Sequence, residues 1–312
     1  MRILAVGTQQ RAPSYNCWTG CSPIDGKQVR EQPAQQPHPF SRALVFVVAA
    51  LTAATVTADD RLPAQSITPT LAPRIALIID DLGYNLELGR RALALPGPIT
   101  AAVLPFTPHT VALAQLAAGA GIDVILHEPM QAADETVCAP GTLSTVMSDA
   151  DLRGQLAHAL AQVPQAIGVN NHTGSLLTAQ RAPMISLMAE LHAQGLFFLD
   201  SRTTPDTVAR DVAVERGVPS ARRDVFLDHV VEVHNIAAEF ERAISIARRQ
   251  GHAVLIAHPY QLSLTFLEQA LPTLAARGIV LIKLASLLEP VSAPATPELR
   301  ADRASLRTTP AL

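Results

Sequence analysis

The chain has 312 residues, 48% of them hydrophobic and only 16% charged, with a formal net charge of −3. A balance this close to neutral excludes an electrostatic grip on nucleic acid, and the apolar content suffices for a large core. Three cysteines, Cys17, Cys21 and Cys138, make no disulfide framework, and a zinc knuckle at Cys17 and Cys21 finds only His38 nearby as a further ligand.

Residues 1–40 carry no periodic pattern and are expected to be a disordered leader. Arg42 then introduces a 16-residue apolar run, Ala43 to Ala58, closing on Val56-Thr57-Ala58. A small-x-small ending suits signal peptidase, and the run is slightly short of the ~20 apolar residues of a membrane span. Export with cleavage near Ala58 is the expectation for 41–58, with an uncleaved membrane anchor or a buried helix as alternatives. The leader exceeds an ordinary signal n-region, which suggests a true start downstream of Met1. Residues 59–73 and 291–312 are rich in Pro, Ala, Ser and Thr and read as a linker and a disordered tail.

Between them, residues 74–290 alternate short apolar runs with longer amphipathic ones. Strands are predicted at 74–80, 99–104, 122–126, 166–169, 196–199, 225–227, 253–257 and 279–283. Helices are predicted at 86–95, 109–118, 149–162, 179–193, 205–215, 235–249 and 263–276. In the sixth, Ile236, Phe240, Ile244 and Ala247 recur at helical spacing. This alternation implies an α/β fold of parallel strands with helices outside, an irregular (β/α) barrel of seven or eight strands. An open doubly wound sheet is the alternative. No G-x-G-x-x-G follows the first strand, so no nucleotide cofactor is expected.

Polar residues gather where these strands end. Asp80-Asp81 close the first, His127-Glu128 the third, Asn170-Asn171-His172 the fourth, Asp200 and Arg202 the fifth, Asp228 the sixth and His258 the seventh. In a parallel barrel all these ends meet on one face, so the charges stand at a site mouth. Carboxylate with imidazole is a divalent-metal set, zinc above all, and such an ion acidifies a bound water. Successive side chains at a strand end point apart, so Asp80 and Asp81 can divide the work of base and ligand. His258 is placed to protonate a leaving amine. Structural alternatives stand beside each: Asp81 as a helix cap, Asn170 and Asn171 as turn residues, and His127, His172 and His258 as hydrogen-bonded packing residues. Asp200 with Arg202, and Arg222 or Arg223 with Asp228, have ion pairs as theirs.

The segments "IIDDLGYN", "ILHEPM", "GVNNHTGS", "FFLDSRT", "VFLD" and "IAHP" resemble, in that order, the divergent polysaccharide deacetylases, over residues 74–288. That family is similar to the NodB-type carbohydrate esterases, which share a distorted (β/α) barrel and a metal held by one Asp and two His. The resemblance implies Asp80 as catalytic base, Asp81 as metal ligand and His258 as general acid. His127 matches the first member of the relatives' H-x-x-x-H; Gln131 occupies the second place. His172 is the candidate for the vacant ligand position. Asp200, Arg202 and Asp228 are expected to orient base or acid. Asn171 and Tyr84 are candidate substrate contacts, and Phe106 and Tyr260 further stacking surfaces.

The expected function is an exported, metal-dependent hydrolase that deacetylates an N-acetylated glycan of the cell envelope. A catalytically degenerate barrel that binds glycan or a protein partner is the main alternative, favoured by Gln131. A different metal hydrolase on the same scaffold is the third.

Overall fold

The computed structural model describes residues 72–134 and 139–288. The leader, the apolar run 43–58, residues 59–71, the tail and Cys138 lie outside them. No helix among the described residues is long and apolar enough to cross a membrane.

The strands are β1 (Arg74–Leu82), β2 (Thr100–Val103), β3 (Asp123–Met130), β4 (Ala166–Thr173), β5 (Phe197–Asp200), β6 (Ser220–Arg222), β7 (Val225–Phe226), β8 (His252–Ala257) and β9 (Val280–Ile282). The helices are α1 (Leu86–Leu93), α2 (Thr110–Gly119), α3 (Asp149–Gln162), α4 (Arg181–Gln194), α5 (Ala209–Glu215), α6 (Val233–Gln250), α7 (Gln261–Ala270) and α8 (Ala285–Leu288). The pairings are parallel, in the order β6-β5-β4-β3-β2-β1-β8-β7, with β9 beside the first half of β1. From β1 to β6 each strand lies next to its predecessor, without the reversal that a doubly wound sheet requires. The result is a curled half-barrel flanked by helices, the irregular (β/α) barrel expected.

Two short strands replace the single one predicted near 225. They form the two ends of the sheet, and only Arg223 and Asp224 separate them. Arg223 N donates to Asp200 O and Asp224 N to Val254 O, both at 2.9 Å, so this bend ties one end to the other. Two predicted helices also differ. Residues 205–208 precede α5 as loop, and the last stretch breaks after Ala270 into two 3-10 turns, Leu271–Thr273 and Ala275–Arg277, where Pro272 cannot donate a helical hydrogen bond.

Alternation within the strands divides the core. Ile75, Leu77 and Ile79 of β1 face the helices and join the larger apolar cluster, with Leu113, Leu156, Leu187, Phe240 and Leu264 from α2, α3, α4, α6 and α7. Ala76 and Ile78 face the inside of the curl. There Ala102, Ile125, Phe197, Leu199, Val254 and Ile256 fill the space with them. Gly168 has a specific place here: a Cβ on it would stand 2.5 Å from the Phe197 ring, so the missing side chain lets that ring enter the interior.

Candidate metal centre and active site

Counting by twos from the interior apolar residues reaches the polar layer. Ala76 and Ile78 lead to Asp80, Ile125 to His127, Gly168 to Asn170, Leu199 to Ser201, and Val254 and Ile256 to His258. These side chains stand on an apolar floor at the C-terminal end of the sheet. Asp80, His127, Asn170, Ser201 and His258 are all buried. The strands run further than expected, since β3 continues to Met130 and β4 to Thr173. His127, Asn170 and His172 therefore hang on paired backbone rather than on loops, and Asn170-Asn171 form no turn.

By that parity Asp81 points outward. A bulge corrects it. The β1–β2 register passes from Ile79↔Ala101 to Leu82↔Val103, three residues against two, and Asp81 sits at φ 56. The left-handed backbone turns its carboxylate inward, so both acids face one histidine rather than pointing apart. His127 Nε2 lies 3.1 Å from Asp81 Oδ1 and 3.7 Å from Asp80 Oδ2. Gly83 follows at φ 142, where a Cβ would collide with the Thr107 side chain. Asp81 is not the cap of the following helix; the Asn85 side chain accepts from Leu88 N in that role.

Asp81, His127 and His172 form a candidate metal site. Asp81 Oδ1 lies 2.8 Å from His172 Nδ1 and 3.1 Å from His127 Nε2, and the two ring nitrogens are 3.2 Å apart. Ligand distances of about 2.1 Å around a tetrahedral zinc give donor separations of about 3.4 Å, so the three atoms already stand near the edges of such a site. The tautomer fits as well. His127 Nδ1 donates to Asn170 Oδ1 at 2.8 Å, which leaves Nε2 with its lone pair toward the ion position. Without an ion, protons take its place. Burial opposes the charge on His127, but Asp80 and Asp81 overcome it and raise its pKa to about 9. Asp81 is also opposed by burial, yet its contacts with the two imidazoles lower it far below the ordinary carboxylate range.

Asp80 lies behind the triad. Its Oδ1 accepts from Asn170 Nδ2 at 2.9 Å, and burial raises its pKa despite His127 and His258. Asn170 thus holds a ligand with one end of its amide and the acid with the other. Asp228 and Ser263 hold His258. Asp228 Oδ1 accepts from His258 Nδ1 at 2.9 Å, while Oδ2 accepts from His258 N at 2.8 Å and from Ser263 Oγ at 2.6 Å. His258 Nε2 faces the centre, 3.9 Å from Asp81 Oδ2. Burial works to lower the His258 pKa, but Asp228, Asp80 and Asp81 raise it above the ordinary imidazole value.

These groups open into a cavity of about 330 Å³ lined by Asp80, Asp81, His127, His172, Arg202, Arg223, Phe226 and His258, among others. Asp228 is no ion-pair partner of Arg222 or Arg223, and Asp200 binds the main chain of Arg202 (N to Oδ1, 2.8 Å) together with Thr207 Oγ1. Asn171 borders the cavity with its amide engaged internally, accepting from Ser201 N at 2.9 Å and donating to Thr173 O at 2.7 Å. Tyr84 is exposed and outside that lining. Tyr260 stacks on the His258 ring with centroids 5.7 Å apart. Gln131, in the place of the second motif histidine, accepts from Thr145 N and Oγ1 and so pins the loop between β3 and α3. Residue spacing missed Ser201, Ser263 and Phe226; it named Asn170 and Arg223 at the strand ends but gave them no role in the site. The period-two count singles out Asn170 and Ser201; no signal in the sequence marks Ser263 or Phe226.

Residues 77–288 match the family model described as divergent polysaccharide deacetylase. The chain is similar to the uncharacterized protein YibQ of Escherichia coli K12, 37% identical over 231 residues covering 74% of this chain and 72% of that one. An uncharacterized protein of Haemophilus influenzae is 38% identical over 64% of this chain and 72% of its own. Among solved structures, the uncharacterized protein ATU2773 from Agrobacterium tumefaciens C58 shares the fold, with a TM-score of 0.67 and 22% identity over 70% of this chain and 91% of that one.

Proposed function

Since the chain belongs to the divergent polysaccharide deacetylase family, we propose that it is an exported, zinc-dependent hydrolase that removes acetyl groups from an N-acetylated glycan of the cell envelope. The observation that carries this is the convergence of Asp81, His127 and His172 within reach of one ion, with Asp80 and His258 beside them. When bound, the cation supplies Lewis acidity toward water and an acyl carbonyl.

The residues of the chain do the rest. Asp80 takes the proton of the attacking water; its raised pKa brings it closer to the range useful in a base. Asn170 fixes the carboxylate so that Oδ2 stays on the His127 side. His258 gives a proton to the departing sugar nitrogen through Nε2. Asp228 selects the tautomer by accepting from Nδ1 and favours the charged, proton-donating form. Gln131 favoured a barrel that binds glycan or a protein partner without turnover; the closeness of His172 to Asp81 and His127 supports the hydrolase reading instead.

The test is acetate release from N-acetylated oligosaccharides by the metal-loaded chain, with metal content measured alongside. Asp80→Asn should bind the ion and lose about 100-fold or more in kcat. Full activity in that variant removes Asp80 from the chemistry. A chain that takes up no stoichiometric metal refutes the proposal.

A further inference from the structure

Resting on that function and naming its substrate class more closely, we propose that Arg202 and Arg223 form an anion subsite, so that the group bearing the hydrolysed amide carries a carboxylate or phosphate. Both arginines line the same cavity as the metal triad. Neither has a carboxylate within 4.0 Å among the described residues. Asp200, an acid whose charge is felt by both, is already held by Arg202 N and Thr207 Oγ1.

Main-chain oxygens hold Arg223 against the Arg202 segment. Arg223 donates through Nε to Ser201 O at 2.6 Å and through Nη2 to Arg202 O at 2.8 Å, and its guanidinium lies 5.2 Å from the Phe226 ring centroid. It is thereby fixed in orientation with no carboxylate in direct contact, Asp80 and Asp200 acting on it only from a distance. Arg202 sits at φ 49, a left-handed conformation that a non-glycine residue adopts only when its surroundings impose it. Its amide is bound to Asp200, while its side chain is exposed and borders the cavity. Burial and then the charge of Arg202 disfavour the charge on Arg223, while Asp80 and Asp200 favour it. An anion relieves that repulsion and accepts from donors already in place. Ser201, Thr173 and Thr203 border the same cavity, with Thr173 Oγ1 donating to Met130 O and Thr203 Oγ1 to Thr173 O. An acetamide alone uses neither cation.

The experiment compares N-acetylglucosamine, its 3-O-lactyl ether and its 6-phosphate, with the zinc-loaded full chain, by calorimetric affinity and by acetate release. One or both anionic sugars should bind about 10-fold or more tightly than the neutral parent, in keeping with a charge-assisted hydrogen bond, and the preference should shrink with added salt. Which of the two binds tells carboxylate from phosphate. Arg202→Gln should bring the preference close to unity. Its side chain is exposed, so the substitution is tolerable to the fold even if Arg223→Gln is not. A preference that survives both substitutions belongs to the metal ion and overturns the subsite. Equal binding of all three sugars overturns it too, whatever the turnover. If no sugar releases acetate but the arginine-dependent preference holds, the subsite stands and the deacetylase function falls.

Discussion

Replacing Asn170 with alanine should weaken metal binding although Asn170 touches no metal. Asn170 is fully buried, and its amide spans His127 Nδ1 at 2.8 Å and Asp80 Oδ1 at 2.9 Å. Alanine leaves both atoms without a partner. Residues that orient a metal-ligating histidine typically contribute 10- to 100-fold in affinity, or about 1.4–2.7 kcal/mol. Each orphaned buried group costs about 1–3 kcal/mol of stability, less where water enters the vacated space. A loss of about 2–4 kcal/mol in urea unfolding without metal is therefore expected, together with at least a 10-fold rise in the zinc dissociation constant measured against a competing chelator. Asn170→Asp separates the two ends of the amide. It keeps an acceptor for His127, and so holds the ion, but sets a second carboxylate against Asp80 and should abolish turnover. Zinc bound by Asn170→Ala as tightly as by the parent would show that the His127 tautomer is set by something else.

Metal binding should also release a proton. His127 with a pKa of about 9 is charged at pH 7 in the metal-free chain, and an ion must displace that proton. Affinity should rise with pH, by up to about tenfold per unit, and level off near pH 9; calorimetry in buffers of different ionisation enthalpy that detects no proton release at pH 7 contradicts this. Among the described residues neither carboxyl oxygen of the buried Glu128 finds a hydrogen-bond partner, and burial alone raises its pKa well above 4.5. A raised acid takes up a proton on folding, so it destabilises the fold increasingly as pH climbs past 4.5. Glu128→Met should then add about 1–3 kcal/mol at pH 8 and flatten that slope in urea titrations at several pH values. Gly168→Ala, with its methyl driven against the Phe197 ring, should cost about 1–3 kcal/mol, read as a lower urea midpoint without metal.

Much of the centre follows from alternation along the strands. Ile125 and His127, or Ile256 and His258, are neighbours on one face, and once the apolar residues are assigned to the interior the polar ones above them come too. The same count prefers Asn170 over Asn171, a distinction that composition at a strand end does not make. Asp81 is different, because its inward turn depends on a bulge and a left-handed backbone that no residue type announces. Arg223 could not be told from Arg222 for a related reason: the run 220–226 contains two short strands and a bend, and too few residues lie in either strand for a period to emerge. Gln131 looked like a lost ligand. It is legible as a loop anchor only when Thr145, fourteen residues later, is known to lie against it.

The apolar floor under the polar layer makes the barrel a cup. Ile78, Ile125, Leu199 and Ile256 close its lower end, so nothing drains through the middle. Whatever enters past Arg202 and Phe226 must depart by the same rim, and a polymer cannot be threaded. Under the proposed function a glycan then lies across the opening and lowers a pendant group toward Asp80, so that substituents standing out from the chain are removed and the chain itself is left uncut.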